Sequence, residues 1–175
     1  MPTLRIIDVL SGMEAQALRA SAECWGYDVA VTWVGNSRQI VDVFQHSLPI
    51  DVLIIAGHGD EDGLVLPELD ESVAGGFPYL DRISAAQLAE FARPVASVII
   101  ATACTFGLPQ YAEVFRNAGT RYYVGPTDYA NAGAAMMYSL GFLYAFQCNG
   151  LHAALAHEAA FSQSDDRRMF KLHRA

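Results

Sequence analysis

The chain has 175 residues, 53% hydrophobic and 17% charged, and carries a net charge of −8 at pH 7. That length supports one core with layers on both faces of a sheet, so a single domain spanning 1–175 is expected. Only 11 Lys and Arg in an acidic chain exclude a nucleic-acid surface, because phosphate binding needs clustered positive charge.

Met1-Pro2-Thr3-Leu4-Arg5 leads into an apolar run over 4–10 that is too short and too charged for a signal peptide or a membrane span. This predicts a cytoplasmic protein with no membrane attachment. Read as a strand, the run is followed by Ser11 as a helix N-cap, by Ala15, Leu18 and Ala22 at helical spacing up to Trp25, and by Gly26 as the stop. A second strand is predicted over 27–34, a turn at Gly35-Asn36, and a helix capped by Ser37 with Ile40, Val43 and Phe44 on one face. Beyond Pro49, the segment 50–56 is apolar apart from Asp51, which suits a central strand covered on both faces. It delivers Gly57-His58-Gly59 at its C-terminal end, where open α/β sheets place ligands.

From 60 to 91 the chain reads as irregular, with Leu64-Val65-Leu66 as a short strand, Gly75-Gly76 as a turn, and Ser84 capping a helix through Leu88 to Phe91. A fourth strand over 95–101 delivers Thr102-Ala103-Cys104-Thr105-Phe106-Gly107. Then come a helix over 111–118, a fifth strand over 121–124, and helices over 131–146 and 151–161. The tail, 162–175, carries a basic cluster and is read either as mobile, chiefly 163–175, or as an added edge strand. Strands alternating with helices predict an α/β fold, a three-layer αβα sandwich around a mostly parallel central sheet.

The chemistry-bearing residues sit at strand ends. A thiol needs a base or a positive partner to become a nucleophilic thiolate, and imidazole suits that task near neutral pH. His58 is the one histidine at a predicted strand end. If the third and fourth strands are neighbours, His58 and Cys104 face one gap into which a carbonyl fits. Gly59 lets the backbone turn tightly, so that its N–H and that of Cys104 form an oxyanion site. The dyad reading predicts a Cys104 thiol titrating below the usual cysteine range.

Cys24, Cys104 and Cys148 show no metal spacing, and Cys24 and Cys148 fall in helical patterns as buried packing thiols. His152 and His157 are not at the i, i+4 spacing that stacks metal ligands, and Asp60-Glu61-Asp62 reads as a solvated loop. The sequence calls for no metal and no cofactor.

Ile54-Ile55-Ala56-Gly57-His58-Gly59 and Ile99-Ile100-Ala101-Thr102-Ala103-Cys104 resemble the paired blocks of caspase-like cysteine peptidases, the group of caspases, metacaspases, legumain, gingipains, separase and CHAT domains. In caspases the histidine precedes the cysteine by about 50 residues, an interval similar to the one here. Weaker likeness extends over 60–66 and over 124–161, the latter similar to the closing block of CHAT domains and separase. The resemblance implies Cys104 as nucleophile, His58 as base and proton donor to the leaving amine, and Gly59 as oxyanion donor, acting on a peptide or protein substrate.

The residue two before the cysteine lines the first specificity pocket in several relatives. Here it is Thr102, neither the glutamine of caspases nor the aspartate of metacaspases. Asp128 stands where separase-like proteins carry an acidic pocket residue, which implies a basic side chain before the scissile bond; a helix cap is the alternative role for Asp128. The tail offers a strand through which a homodimer or a partner protein would pair.

Two other readings compete. One is a flavodoxin-like cysteine hydrolase or amidotransferase, which needs His152 or His157 beside Cys104. The other is a non-catalytic caspase-like binding or regulatory module.

Overall fold

The structure is a computed structural model describing residues 1–46, 49–161 and 166–175. Three of its strands, β1 (Thr3–Val9), β3 (Ile50–Gly57) and β6 (Ala96–Ala101), are apolar on alternate residues of both faces because helices cover both. Leu4, Ile6, Val52, Ile54, Val98 and Ile100 pack on one side. Ile7, Val9, Leu53, Ile55, Ile99 and Ala101 pack on the other. The first layer is built from α1 (Met13–Cys24), α6 (Ala132–Gln147) and α7 (Ala153–Phe161). The second comprises α2 (Ser37–His46), α4 (Ala85–Phe91) and α5 (Pro109–Asn117).

With β2 (Asp28–Trp33), β7 (Tyr122–Pro126) and β8 (Phe170–Arg174), the six-stranded order is β2-β1-β3-β6-β7-β8. All neighbours are parallel except β7 and β8, which run antiparallel. The predicted three-layer α/β sandwich is therefore the fold that forms. Among the described residues no helix is long and apolar enough to cross a membrane.

Several local expectations are corrected. Ser11 does not cap α1, which begins at Met13; its N–H and hydroxyl are both held by the Asp8 carboxylate at the end of β1. Ser37 is the first residue of α2 and spends its hydroxyl on the Tyr79 carbonyl at 2.7 Å. The segment after His58 is less irregular than expected: β4 (Leu64–Val65) pairs with β5 (Arg82–Ile83), and α3 (Glu71–Ala74) lies between them. Ser84 caps α4 as expected, in a reciprocal box with Gln87. Cys24 and Cys148 are exposed at the C-terminal ends of α1 and α6 rather than buried, since each falls on the last turn and off the core-facing stripe. Of the tail, a short 3-10 turn (Asp166–Met169) leads into β8, whose Phe170 stacks on Tyr138 at a centroid distance of 4.1 Å. The rest of the tail, 162–165, lies outside the described residues.

Candidate active site

The sheet register aligns the two sequence blocks. Ile55 of β3 stands opposite Ala101 of β6, and the Thr102 N–H donates to the Ile55 carbonyl at 2.9 Å. Three residues beyond these positions are His58, just past the end of β3, and Cys104, in the turn that follows β6. A Cβ on Gly57 would lie 2.7 Å from the Val9 carbonyl of β1, and one on Gly59 would lie 2.6 Å from the Cys104 carbonyl. Glycine on both sides of His58 thus lets its loop lie against both neighbouring strand ends.

The bridge between Gly59 and Leu64 is flanked by hydrogen bonds from Val65 N–H to the His58 carbonyl (3.0 Å) and from Asp60 N–H to the Gly63 carbonyl (3.1 Å). This pattern leaves the Gly59 N–H without a protein acceptor among the described residues. The Cys104 N–H meets its own sulfur.

The cysteine loop is fixed from three sides. The Thr105 hydroxyl donates to the Asp60 carbonyl at 2.7 Å, tying this loop to the histidine loop. The Gly107 N–H donates to the Pro126 carbonyl at 2.6 Å, and His173 Nε2 of β8 lies 2.8 Å from the Gly107 carbonyl. The Tyr123 hydroxyl donates to the Phe106 carbonyl.

Among the described residues only Leu10 (φ 66°) and Thr105 (φ 65°) are non-glycine residues with positive φ. One directly follows β1 and the other follows Cys104, so backbone strain is concentrated around this site.

Burial pushes the half-buried Cys104 thiol above the ordinary cysteine range. Its Sγ lies 3.9 Å from the Ala130 carbonyl. The expected low-titrating thiolate is therefore not the resting state: partial desolvation outweighs the groups around the sulfur, and a neutral thiol stands beside the loop that enters α6.

Asp128 in that loop is exposed, and its Oδ1 accepts its neighbour Tyr129's N–H at 2.7 Å. The cap of α6 is Asn131, which accepts from Gly133 N–H at 2.9 Å, so the alternative role for Asp128 is already filled. Asp128 and Tyr129 both lie within electrostatic reach of Cys104.

Next to His58 the ends of β1, α1 and α6 enclose a hollow of about 430 Å³. Leu10, Met13, Ala17, Ala132 and Met136 supply apolar wall, with His58 and Glu14 as the titratable groups. Thr102 is not among the lining residues. It is buried behind the hollow, accepts from Gly57 N–H at 3.4 Å and hydrogen-bonds Glu14.

A carboxylate in a helix's first turn ordinarily serves as a dipole partner, so nothing in the sequence marks Glu14 as unusual. In the structure burial drives its carboxyl up to about 7, the Thr102 hydroxyl opposing and the Asp8 carboxylate adding to the rise. Its Oε1 is buried without a hydrogen-bond partner among the described residues.

The remaining candidates have other engagements. His157 Nδ1 is 2.6 Å from the Tyr138 hydroxyl, and its ring packs on Phe161 at 5.2 Å. His152 precedes α7. Asp60 is paired with Arg82 at 2.7 Å in the loop joining the two blocks. Among the described residues no cluster of three or more His, Cys, Asp or Glu is placed to hold a metal ion.

The fold is similar to that of solved cysteine peptidase structures. The solved structure of the Arg-specific cysteine proteinase gingipain R aligns with 95% of this chain and 44% of its own, at 13% identity and a TM-score of 0.62. The complex of Porphyromonas gingivalis RgpB pro- and mature domains aligns similarly, at 13% identity over 96% of this chain and 45% of its own, with a TM-score of 0.61. The Saccharomyces cerevisiae separase–securin complex aligns with 99% of this chain and 12% of that one, at 9% identity and a TM-score of 0.59. The chain thus has the fold of caspase-like cysteine peptidases and spans less than half the length of these relatives. No protein-family model and no curated protein matches the sequence.

Proposed function

We propose that the chain is a caspase-like cysteine peptidase in which Cys104 attacks the scissile carbonyl and His58 moves the protons. The observation that supports this reading is the parallel pairing of β3 with β6, whose last paired residues are Ile55 and Ala101, with His58 and Cys104 each three residues further on. Because the resting thiol is neutral, His58 takes its proton as sulfur bonds to the carbonyl carbon. The carbonyl oxygen gains negative charge, for which the unspent N–H of Gly59 and the N–H of Cys104 are the donors; one such donor is worth about 3 kcal/mol of barrier. Collapse expels the amine, protonated by His58, and leaves a thioester on Cys104. Water activated by the same imidazole hydrolyses it to the acid and the free thiol.

The flavodoxin-like alternative loses support because His157 is committed to Tyr138. The neutral thiol beside the Ala130 carbonyl supports a second feature, a resting state awaiting a partner protein. Among the similar structures, RgpB is seen with its pro-domain and separase with securin.

The reading is tested by incubating the chain with a proteome-derived peptide mixture and sequencing new termini by mass spectrometry. New carboxyl termini with the native chain and none with Cys104→Ala support it. Termini made equally by both would overturn it.

A further inference from the structure

Leu10 and Met13 are large apolar side chains that stand 50% and 78% exposed. Exposed apolar groups gathered around a concavity mark a binding surface. Leu10 is held there at a left-handed φ of 66° by the turn in which Asp8 grips Ser11. Met136 and Ala132, from the first turns of α6, face the same hollow, and His58 forms part of its wall. The hollow is thus continuous with the imidazole that would serve Cys104.

Resting on the dyad reading of His58 and Cys104, we infer that this hollow binds the substrate side chain preceding the scissile carbonyl, and that it selects a neutral, flexible apolar side chain such as leucine or methionine. Its volume of about 430 Å³ lies in the range of small-ligand sites, about 300–1,000 Å³. The five apolar lining residues come from three separate elements, so a branched or unbranched alkyl group is contacted on several sides.

Acidic side chains are disfavoured by the apolar wall and by Asp8 on β1, and Glu14 adds to this once it ionises. Glu14 also sets how cations fare. It is faced by Asp8 from β1, His58 from the loop after β3 and Thr102 from the end of β6, while α6 presents only Ala132, Gly133 and Met136. With Glu14 titrating near 7, its carboxyl is largely uncharged in mild acid and gains a negative charge in mild base. A lysine or arginine side chain therefore gains affinity as pH rises, and leucine does not.

The probes are acetyl-Ala-Ala-Xaa-methylamides with Xaa as Leu, Met, Arg or Asp, titrated into the full chain carrying Cys104→Ala and methyl-labelled methionine. The Met13 and Met136 methyl signals report the hollow, and Met1 and Met169 serve as controls. At pH 6 the Leu and Met peptides should shift Met13 and Met136 at concentrations about tenfold below the Arg peptide, the effect of burying most of one side chain. The Asp peptide should shift neither.

Between pH 6 and pH 8 the Arg peptide should tighten several-fold in this protein, and by clearly less after a further Glu14→Gln. Ala17→Leu, which narrows the hollow without removing a polar group, should weaken the binding that the shifts report. Arg binding as tightly as Leu at pH 6, or no movement of Met13 and Met136 with any peptide, overturns the inference. Binding is read without chemistry, so a native chain that binds yet cleaves nothing counts against the dyad and not against the hollow.

Discussion

Gly59 lies against the backbone of Cys104, so closely that a Cβ at position 59 would meet the Cys104 carbonyl at 2.6 Å. Neither backbone can yield without moving the loop after β3 or the loop after β6. Gly59→Ala should therefore destabilise the fold by about 1–3 kcal/mol, the usual range for overpacking, and should also misplace His58 relative to Cys104. Gly35→Ala, whose Cβ would meet only the Gln39 side chain at 3.6 Å, is the control and should unfold close to the native midpoint. Denaturant melts of the two variants check this.

Burial raises the Cys104 thiol, whereas Cys24 and Cys148 are exposed. In the substrate-free chain, iodoacetamide at pH 7 should label Cys104 more slowly than either of the other two. Its rate should rise with pH to a midpoint above the usual thiol value of about 8.5. Peptide mapping after timed quenches gives the rates. A Cys104 midpoint below 7 would show a preformed thiolate and refute the neutral resting state.

Leu10 occupies a left-handed conformation and is half exposed. Leu10→Gly relieves that strain at little loss of burial and should stabilise the fold by about 0.5–1 kcal/mol. The same change should weaken binding of the leucine peptide by removing a wall of the hollow. Gain of stability with loss of binding is the outcome expected where strain is kept for function.

Glu14 supplies a stability effect whose sign follows from its shift. Its carboxyl titrates near 7 when folded and near 4.5 in the reference state, so the folded chain holds its proton more tightly. That contribution is fully present below about 4.5 and is lost as pH rises toward and through 7. Glu14→Gln, which cannot ionise, should therefore be more stable than the native chain at pH 8 by about 1–3 kcal/mol, with the difference vanishing near pH 4. Thermal melts across pH test it.

The fold was legible in the sequence where burial dictates composition. The apolar runs of β3 and β6 are buried on both faces, and such runs announce central parallel strands. The placement of His58 and Cys104 just past β3 and β6 was legible because each lies within three residues of the end of such a run, with a turn-forming residue nearby. Elements defined by long-range pairing escaped notice: β5 is two residues long and exists through its partner Leu64–Val65. The hollow escaped for the same reason, since Leu10, Met13, His58 and Met136 meet only when β1, β3 and α6 are assembled. Ser11 was misread because a serine after a strand serves equally as a helix cap or as the partner of an upstream aspartate. Thr102 and Asp128, taken from family patterns, fall respectively behind the hollow and on the exposed loop beside the thiol.

The most direct test of the Cys104–His58 pairing is covalent trapping by a peptidyl acyloxymethyl ketone ending in leucine, read by intact and peptide-level mass spectrometry in the native chain and in His58→Ala. A single adduct is expected, on Cys104 and not on the more exposed Cys24 or Cys148, that is lost or slowed at least about 100-fold without His58, the scale of a general base. Equal labelling of Cys104 with and without His58, or labelling confined to Cys24 and Cys148, would contradict it.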